Sequence, residues 1–197
     1  MSRSKKLIVT ALFLIGACIL LYPAVSNKLA ERHQAEMISR YEQTVEELPK
    51  TDMKSEWEKA VKYNESVTGM SVEDPFILGS GSVLPGNYKD VLNVEEKEGV
   101  MGYIEIQEID VMLPLYHGVS ERVLRRGVGH METTALPIGG KGTHSVLASH
   151  RGLSTAKLFT DLDRMKEGDL LYIHVLDHLL TYEVDQISVI EPEDTDA

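Results

Sequence analysis

Residues 7–25 form an apolar run without a single charged side chain. As a helix rising ~1.5 Å per residue, such a run reaches about 28 Å, close to the hydrocarbon thickness of a bilayer. From 27 to 68 the pattern stays helical but becomes amphipathic. Ile38, Tyr41, Val45 and Leu48 share one face, and Glu and Arg fill the other. Pro49 is predicted to end this helix, with a second starting near Asp52 and carrying Met53, Trp57 and Val61 at spacings of four. The stripe reads as packing against a following domain, the other reading being a partner interface. Residues 69–99 lose all periodicity and are punctuated by Gly69, Pro75, Gly79, Gly81, Pro85, Gly86 and Gly99, which predicts a long loop.

After Gly99 the period becomes two. Strands are predicted over 101–106 and 111–117, the second interrupted at Pro114 as at an edge or bulge. Residues 120–126 read as a short helix capped by Ser120 and stopped by Gly127. Residues 145–149 form a strand of small and apolar residues that ends at His150. A helix is predicted over 155–165, with Leu158, Leu162 and Met165 on one face, and strands over 169–175 and 180–190. Many short strands with brief helices predict a mainly β domain, an antiparallel barrel or sandwich.

Charge sharpens the picture. Twenty Lys and Arg stand against 31 Asp and Glu, a net charge of −11, which excludes a general nucleic-acid binder. Arg3, Lys5 and Lys6 precede the apolar run, so the run reads as a single-pass anchor with a cytoplasmic N-terminus and everything after residue 27 outside the cell. Two rival readings are a cleaved signal peptide and a lipoprotein signal around Ile15-Gly16-Ala17-Cys18. The first needs a shorter apolar core and a small-x-small site, which Tyr22-Pro23-Ala24-Val25-Ser26 does not offer. The second needs a polar turn after Cys18, where Ile19, Leu20 and Leu21 continue the apolar run. Cys18 is the one cysteine, which rules out an intrachain disulfide and a Cys-rich zinc site.

Six of the seven histidines lie in the β region: His117, His130, His144, His150, His174 and His178. A metal pair of His144 and His150 finds no HExxH helix or carboxylate cluster to support it. His150 differs from the rest by its position at a strand end, where a side chain can face a groove.

The chain around these histidines resembles the class C sortases, the pilus-assembling transpeptidases of Gram-positive bacteria. The resemblance rests on blocks that occur in order: Tyr103-Ile104-Glu105-Ile106, Leu113-Pro114-Leu115-Tyr116-His117-Gly118 and Gly127-Val128-Gly129-His130 come first. Leu136-Pro137-Ile138-Gly139-Gly140, Ser149-His150-Arg151-Gly152 and Ala156-Lys157-Leu158-Phe159-Thr160-Asp161-Leu162 follow. It runs from about residue 60 to 197, and the anchor and helices before it are of the expected kind.

The resemblance implies an eight-stranded sortase barrel outside the cell membrane and a Cys–His–Arg site acting on LPXTG-type sorting signals, with no cofactor and no metal. It implies pilin subunits as partners, joined through a Lys amine. His150 matches the family histidine, which fits imidazole's ability to give and take a proton near neutral pH. Asp74, Pro75 and Phe76 match a lid over the cleft; an ordinary turn is the alternative. The organisation expected is therefore a basic flank and transmembrane anchor (1–26), a helical juxtamembrane segment (27–68), a lid loop (69–99) and a partial sortase β-barrel (100–197).

Three departures stand out. Ser149 replaces the usual glycine before the histidine, and Leu153-Ser154-Thr155 varies a stretch that often holds proline. More seriously, the Thr-Leu-x-Thr-Cys strand and the later Arg do not occur in these 197 residues. The barrel is then expected to be incomplete, the polypeptide an inactive N-terminal portion of a class C sortase. The alternative is a non-catalytic membrane-anchored module that binds sorting signals or pilins.

Overall fold

The computed structural model describes residues 3–67, 87–94 and 99–189. The lid candidates Asp74, Pro75 and Phe76 lie outside the described residues. The apolar run and the first part of the 27–68 segment are one element, helix α1 (Arg3–Glu47), which runs through Pro23 without a break at residue 26. The apolar part of α1 is long enough to cross a membrane, and none of its residues is buried in the protein. The later part packs on the domain through Gln34, Met37, Ile38 and Tyr41.

Pro49 ends α1 as predicted, but the restart comes sooner than Asp52. Helix α2 (Lys50–Val67) begins one residue after the proline, because the Pro49 carbonyl accepts the amides of Asp52 and Met53 at 2.9 and 3.0 Å. The face that α2 buries is Ala60, Tyr63, Asn64 and Val67, with Trp57 half-buried beside it and Val61 exposed.

Among the described residues six strands form one curled sheet, half of a barrel: β1 (Val100–Ile106), β2 (Val111–His117), β3 (Val128–His130), β4 (Leu147–Ala148), β5 (Leu170–Val175) and β6 (His178–Glu183), in the order β4-β3-β2-β1-β5-β6. All pairs are antiparallel except β2 with β3, which departs from the all-antiparallel expectation. The short helix α3 (Glu121–Leu124) lies on the crossover between that parallel pair.

β1 is covered on both sides, which is why it reads as nearly continuous apolar sequence. A register shift between Val100 and Gly102 breaks strict alternation. Met101, Ile104 and Ile106 join the core that α2 covers, while Val100 and Tyr103 pack with Ile38 and Tyr41 of α1. The irregularity of the β1–β2 pair therefore sits in β1 and not at Pro114. Pro114 is accommodated inside β2 because pairing with β3 starts one residue later, at Leu115.

Three other expectations change. The end of the 69–99 segment is core: Tyr88, Val91 and Leu92 are buried around a 3₁₀ turn at Tyr88–Asp90. Helix 155–165 does not form. Leu158 takes a φ of 43°, which ends any right-handed turn, and a 3₁₀ turn at Leu162–Arg164 is all that remains of it. The Lys157 ammonium bonds the Ile109 carbonyl at 2.7 Å and pairs with Asp161, so contacts from distant residues hold this segment. Ser120 precedes α3 in extended conformation, but its backbone carbonyl, not its hydroxyl, receives the first amides.

Candidate functional site

His150 follows β4, and its place is fixed from three directions. β4 pairs with β3 at Gly129↔Ala148 and His130↔Leu147. The next residue, Ser149, donates its hydroxyl to the Gly127 carbonyl at 2.7 Å. The His150 carbonyl accepts the Phe159 amide at 3.1 Å, which draws the 150–160 loop back over the strand end. Arg151 pairs with Asp163 at 3.0 Å and closes that loop.

Glycine is required at the two positions that bring β3 this close. A Cβ on Gly127 would strike the Pro114 carbonyl and the Tyr116 ring, and one on Gly129 would strike the Gly118 carbonyl. Gly127 is thus a close-approach glycine and not a helix stop; its φ is not positive.

The His150 ring is 30% exposed, yet its Nε2 is shielded from solvent. Glu121 Oε2 lies 3.2 Å from that nitrogen, off the line a hydrogen bond would need, so the contact is electrostatic and not a formed hydrogen bond. The other oxygen of Glu121 accepts Arg125 Nε at 2.7 Å.

The remaining histidines have other employment. His130 is fully buried, with Nδ1 2.9 Å from the Tyr88 hydroxyl and Nε2 2.9 Å from the Ala135 carbonyl. Burial pushes its pKa down to about 4, against the opposing pull of the Ala135 carbonyl. His117 lies between the carbonyls of Val91 and Gly99, at 2.8 and 3.1 Å, and burial lowers its pKa as well. His174 stacks on Tyr103 and His178 on Trp57, with centroids 4.1 and 3.8 Å apart. His144 is exposed. His174 and His178 also have carboxylates beside them, Glu105 at 3.3 Å and Asp177 at 2.9 Å, but stacking occupies their rings. Among the described residues, His150 alone of the six combines a strand-end position, partial exposure, a neighbouring carboxylate and a ring with no aromatic stacked on it.

Among the clefts lined by the described residues, one of about 510 Å³ lies between α1 and the β1–β2 pair and one of about 320 Å³ lies beside Lys89, His117 and Arg122. His150 lines neither, so the candidate site rests on its side-chain chemistry. Sequence reading missed Glu121, which appeared only as part of a short helix. Its carboxylate meets a histidine 29 positions away through the β3–β4 pairing, a relation that no local pattern carries.

A mainly β half-barrel with a histidine at the end of β4 and a long apolar helix in front is a sortase arrangement, and the comparisons agree. A model of the sortase domain matches residues 104–197. Sortase C of Streptococcus pneumoniae is 40% identical with a TM-score of 0.71, covering 82% of this chain and 79% of that one. Sortase C1 of Streptococcus agalactiae is 37% identical with a TM-score of 0.70, covering 81% and 80%. Sortase A of Listeria monocytogenes is 27% identical over 189 residues, 95% of this chain and 75% of its own. The chain belongs to the sortase family, whose members are cysteine transpeptidases. Within that family the two streptococcal neighbours place it beside the class C sortases.

Proposed function

We propose that this chain is the anchored, histidine-bearing part of a class C sortase that joins pilin subunits at LPXTG-type sorting signals. In that chemistry a cysteine thiolate attacks the Thr carbonyl, the peptide C–N bond breaks, and His150 gives its proton to the departing amine. A pilin Lys amine then attacks the thioester, His150 takes a proton from it, and the thiolate is released. The support is the position of His150, held by Ser149, β3 and Phe159 at the strand end where the family histidine belongs. The S. pneumoniae relative is described in terms of pilin substrate specificity, which favours pilins as partners here.

Cys18 does not serve as the nucleophile. It lies on α1 sixteen residues before Gln34, whose side-chain amide bonds the Arg126 carbonyl, one residue before the Gly127 that accepts the Ser149 hydroxyl. At ~1.5 Å per residue that separation is about 24 Å. The 197 residues alone are therefore expected to leave an LPXTG peptide intact. Asp74, Pro75 and Phe76 are assigned to a lid on their resemblance and their place before the barrel. Arg3, Lys5 and Lys6 before the apolar run favour a cytoplasmic N-terminus, with the barrel outside.

A chimera tests the reading. In it, residues 1–189 continue into the C-terminal strands of the S. pneumoniae sortase C. Transfer of an LPXTG peptide to an amine is expected, and His150→Ala should lower its rate about 10²–10⁴-fold, the range of a lost general acid–base. A folded chimera that is inert, or one that ignores His150→Ala, would sink the proposal.

A further inference from the structure

The imidazole at the end of β4 has two nitrogens in unlike settings, and the difference has a chemical consequence. Nε2 is shielded from solvent and makes no hydrogen bond among the described residues, while a carboxylate oxygen of Glu121 stands 3.2 Å away. The ring as a whole is 30% exposed, so its contact with solvent runs through its other atoms. A neutral imidazole carries one proton, and which nitrogen holds it depends on the partner each nitrogen faces. A carboxylate favours an N–H and repels a lone pair. The geometry assigns Glu121 as a positioning residue for His150: its carboxylate keeps the proton on Nε2 and leaves Nδ1 as the basic nitrogen.

Two further observations bear on this. Glu121 is 60% exposed, and exposed ion pairs contribute little to stability, so fold maintenance does not account for the contact. Its other oxygen is held by Arg125 Nε at 2.7 Å, one helical turn along α3, which limits where the carboxylate can swing. The arrangement is the familiar one of a base oriented by a third group. Its off-axis geometry is usual in a site without substrate, where such bonds tighten on binding. The inference depends on His150 being the proton carrier proposed above, but it can be read without turnover.

The experiment is long-range ¹⁵N–¹H correlation of the histidine rings in the full chain, held in detergent micelles at pH 8.5, with His150 assigned by loss of its signals in His150→Gln. The parent is expected to show His150 mainly as the Nε2–H tautomer. Glu121→Ala would remove the carboxylate that stands beside Nε2 and favours an N–H there, so the Nε2–H to Nδ1–H ratio should fall at least fivefold. Glu121→Gln keeps a carbonyl oxygen as acceptor and should restore the parental ratio. Glu121→Leu, similar in bulk but without an acceptor, should behave as Glu121→Ala and gives a second reading if that variant folds poorly. A parent dominated by Nδ1–H, or a ratio unchanged within twofold in both truncations, would overturn the assignment. An inert chimera with the expected tautomer shift would instead count against the catalytic reading and leave the positioning intact.

Discussion

Tyr41→Ala is expected to destabilise the folded domain by about 3–5 kcal/mol, the range for emptying a buried aromatic site. Tyr41 is 1% exposed and stands where α1 meets the sheet. Its hydroxyl donates to the Met101 carbonyl at 3.1 Å and accepts the Leu176 amide at 2.7 Å, tying the helix to β1 and to the β5–β6 turn together. Its ring meets Tyr103 edge-on, with centroids 6.5 Å apart. Burial raises the pKa of this phenol, so it stays neutral and able to donate throughout the accessible pH range. Tyr41→Phe isolates the hydroxyl: it keeps the ring but orphans a buried amide, which costs about 1–3 kcal/mol. Urea unfolding followed by the fluorescence of Trp57, the one tryptophan, separates the two variants. Tyr22→Ala, on the exposed apolar part of α1, serves as the control. A Tyr41→Ala midpoint equal to that of the parent would mean that α1 does not dock as described.

Acid is expected to loosen the same domain through His130. Its folded pKa is about 4, below the ordinary value of 6.5, because burial disfavours the charged ring. Between those values the unfolded chain binds more protons than the native state. The histidine's contribution is therefore fully present above pH 6.5 and is lost as pH falls towards 4. Across that window the loss reaches about 3 kcal/mol at ~1.4 kcal/mol per pH unit. His117, also lowered by burial, acts in the same direction. The measurement is the urea midpoint at pH 7 and at pH 4.5. Removing the titrating group with His130→Gln should lower stability at pH 7 but flatten its fall with acid. An undiminished slope in that variant would assign acid sensitivity to other groups. The cost at pH 7 follows from the lost partners, since Tyr88 and the Ala135 carbonyl both face the ring.

Much of this fold could be read locally. Strands β1 and β2 followed from alternation and apolar density, and the position of His150 from a short run of small and apolar residues before it. The buried face of α1 followed from the spacing of Ile38 and Tyr41. What could not be read was whatever depends on distant chain. The apolar spacing of Leu158, Leu162 and Met165 suits a helix, yet the Lys157 bond to Ile109 and the Phe159 bond to His150 impose another path. Tyr88, Val91 and Leu92 are core without any period to announce it, because they fill a gap between α2 and the sheet. Pro114 looked like an edge marker, and in fact pairs with Tyr103 on β1 at the last position before β3 joins the other side of the strand. Glu121 and His150 meet through strand pairing that neither segment encodes by itself.

The unbroken course of α1 also sets a distance scale for whatever the domain works on. From Val25, where the apolar run ends, to Gln34, which bonds the Arg126 carbonyl, is nine residues of helix. That is about 14 Å at the helical rise. The residue after Arg126, Gly127, accepts the Ser149 hydroxyl beside His150. A helix docked by Tyr41 and Gln34 cannot lengthen, so with the apolar part of α1 seated in a bilayer, as proposed, this edge of the domain stands in a shallow zone above the lipid surface. A polypeptide held in the same bilayer reaches that zone with about four extended residues, at ~3.3–3.6 Å each. A reactive bond placed much nearer to the membrane, or much farther along the chain, would meet the domain at the wrong height.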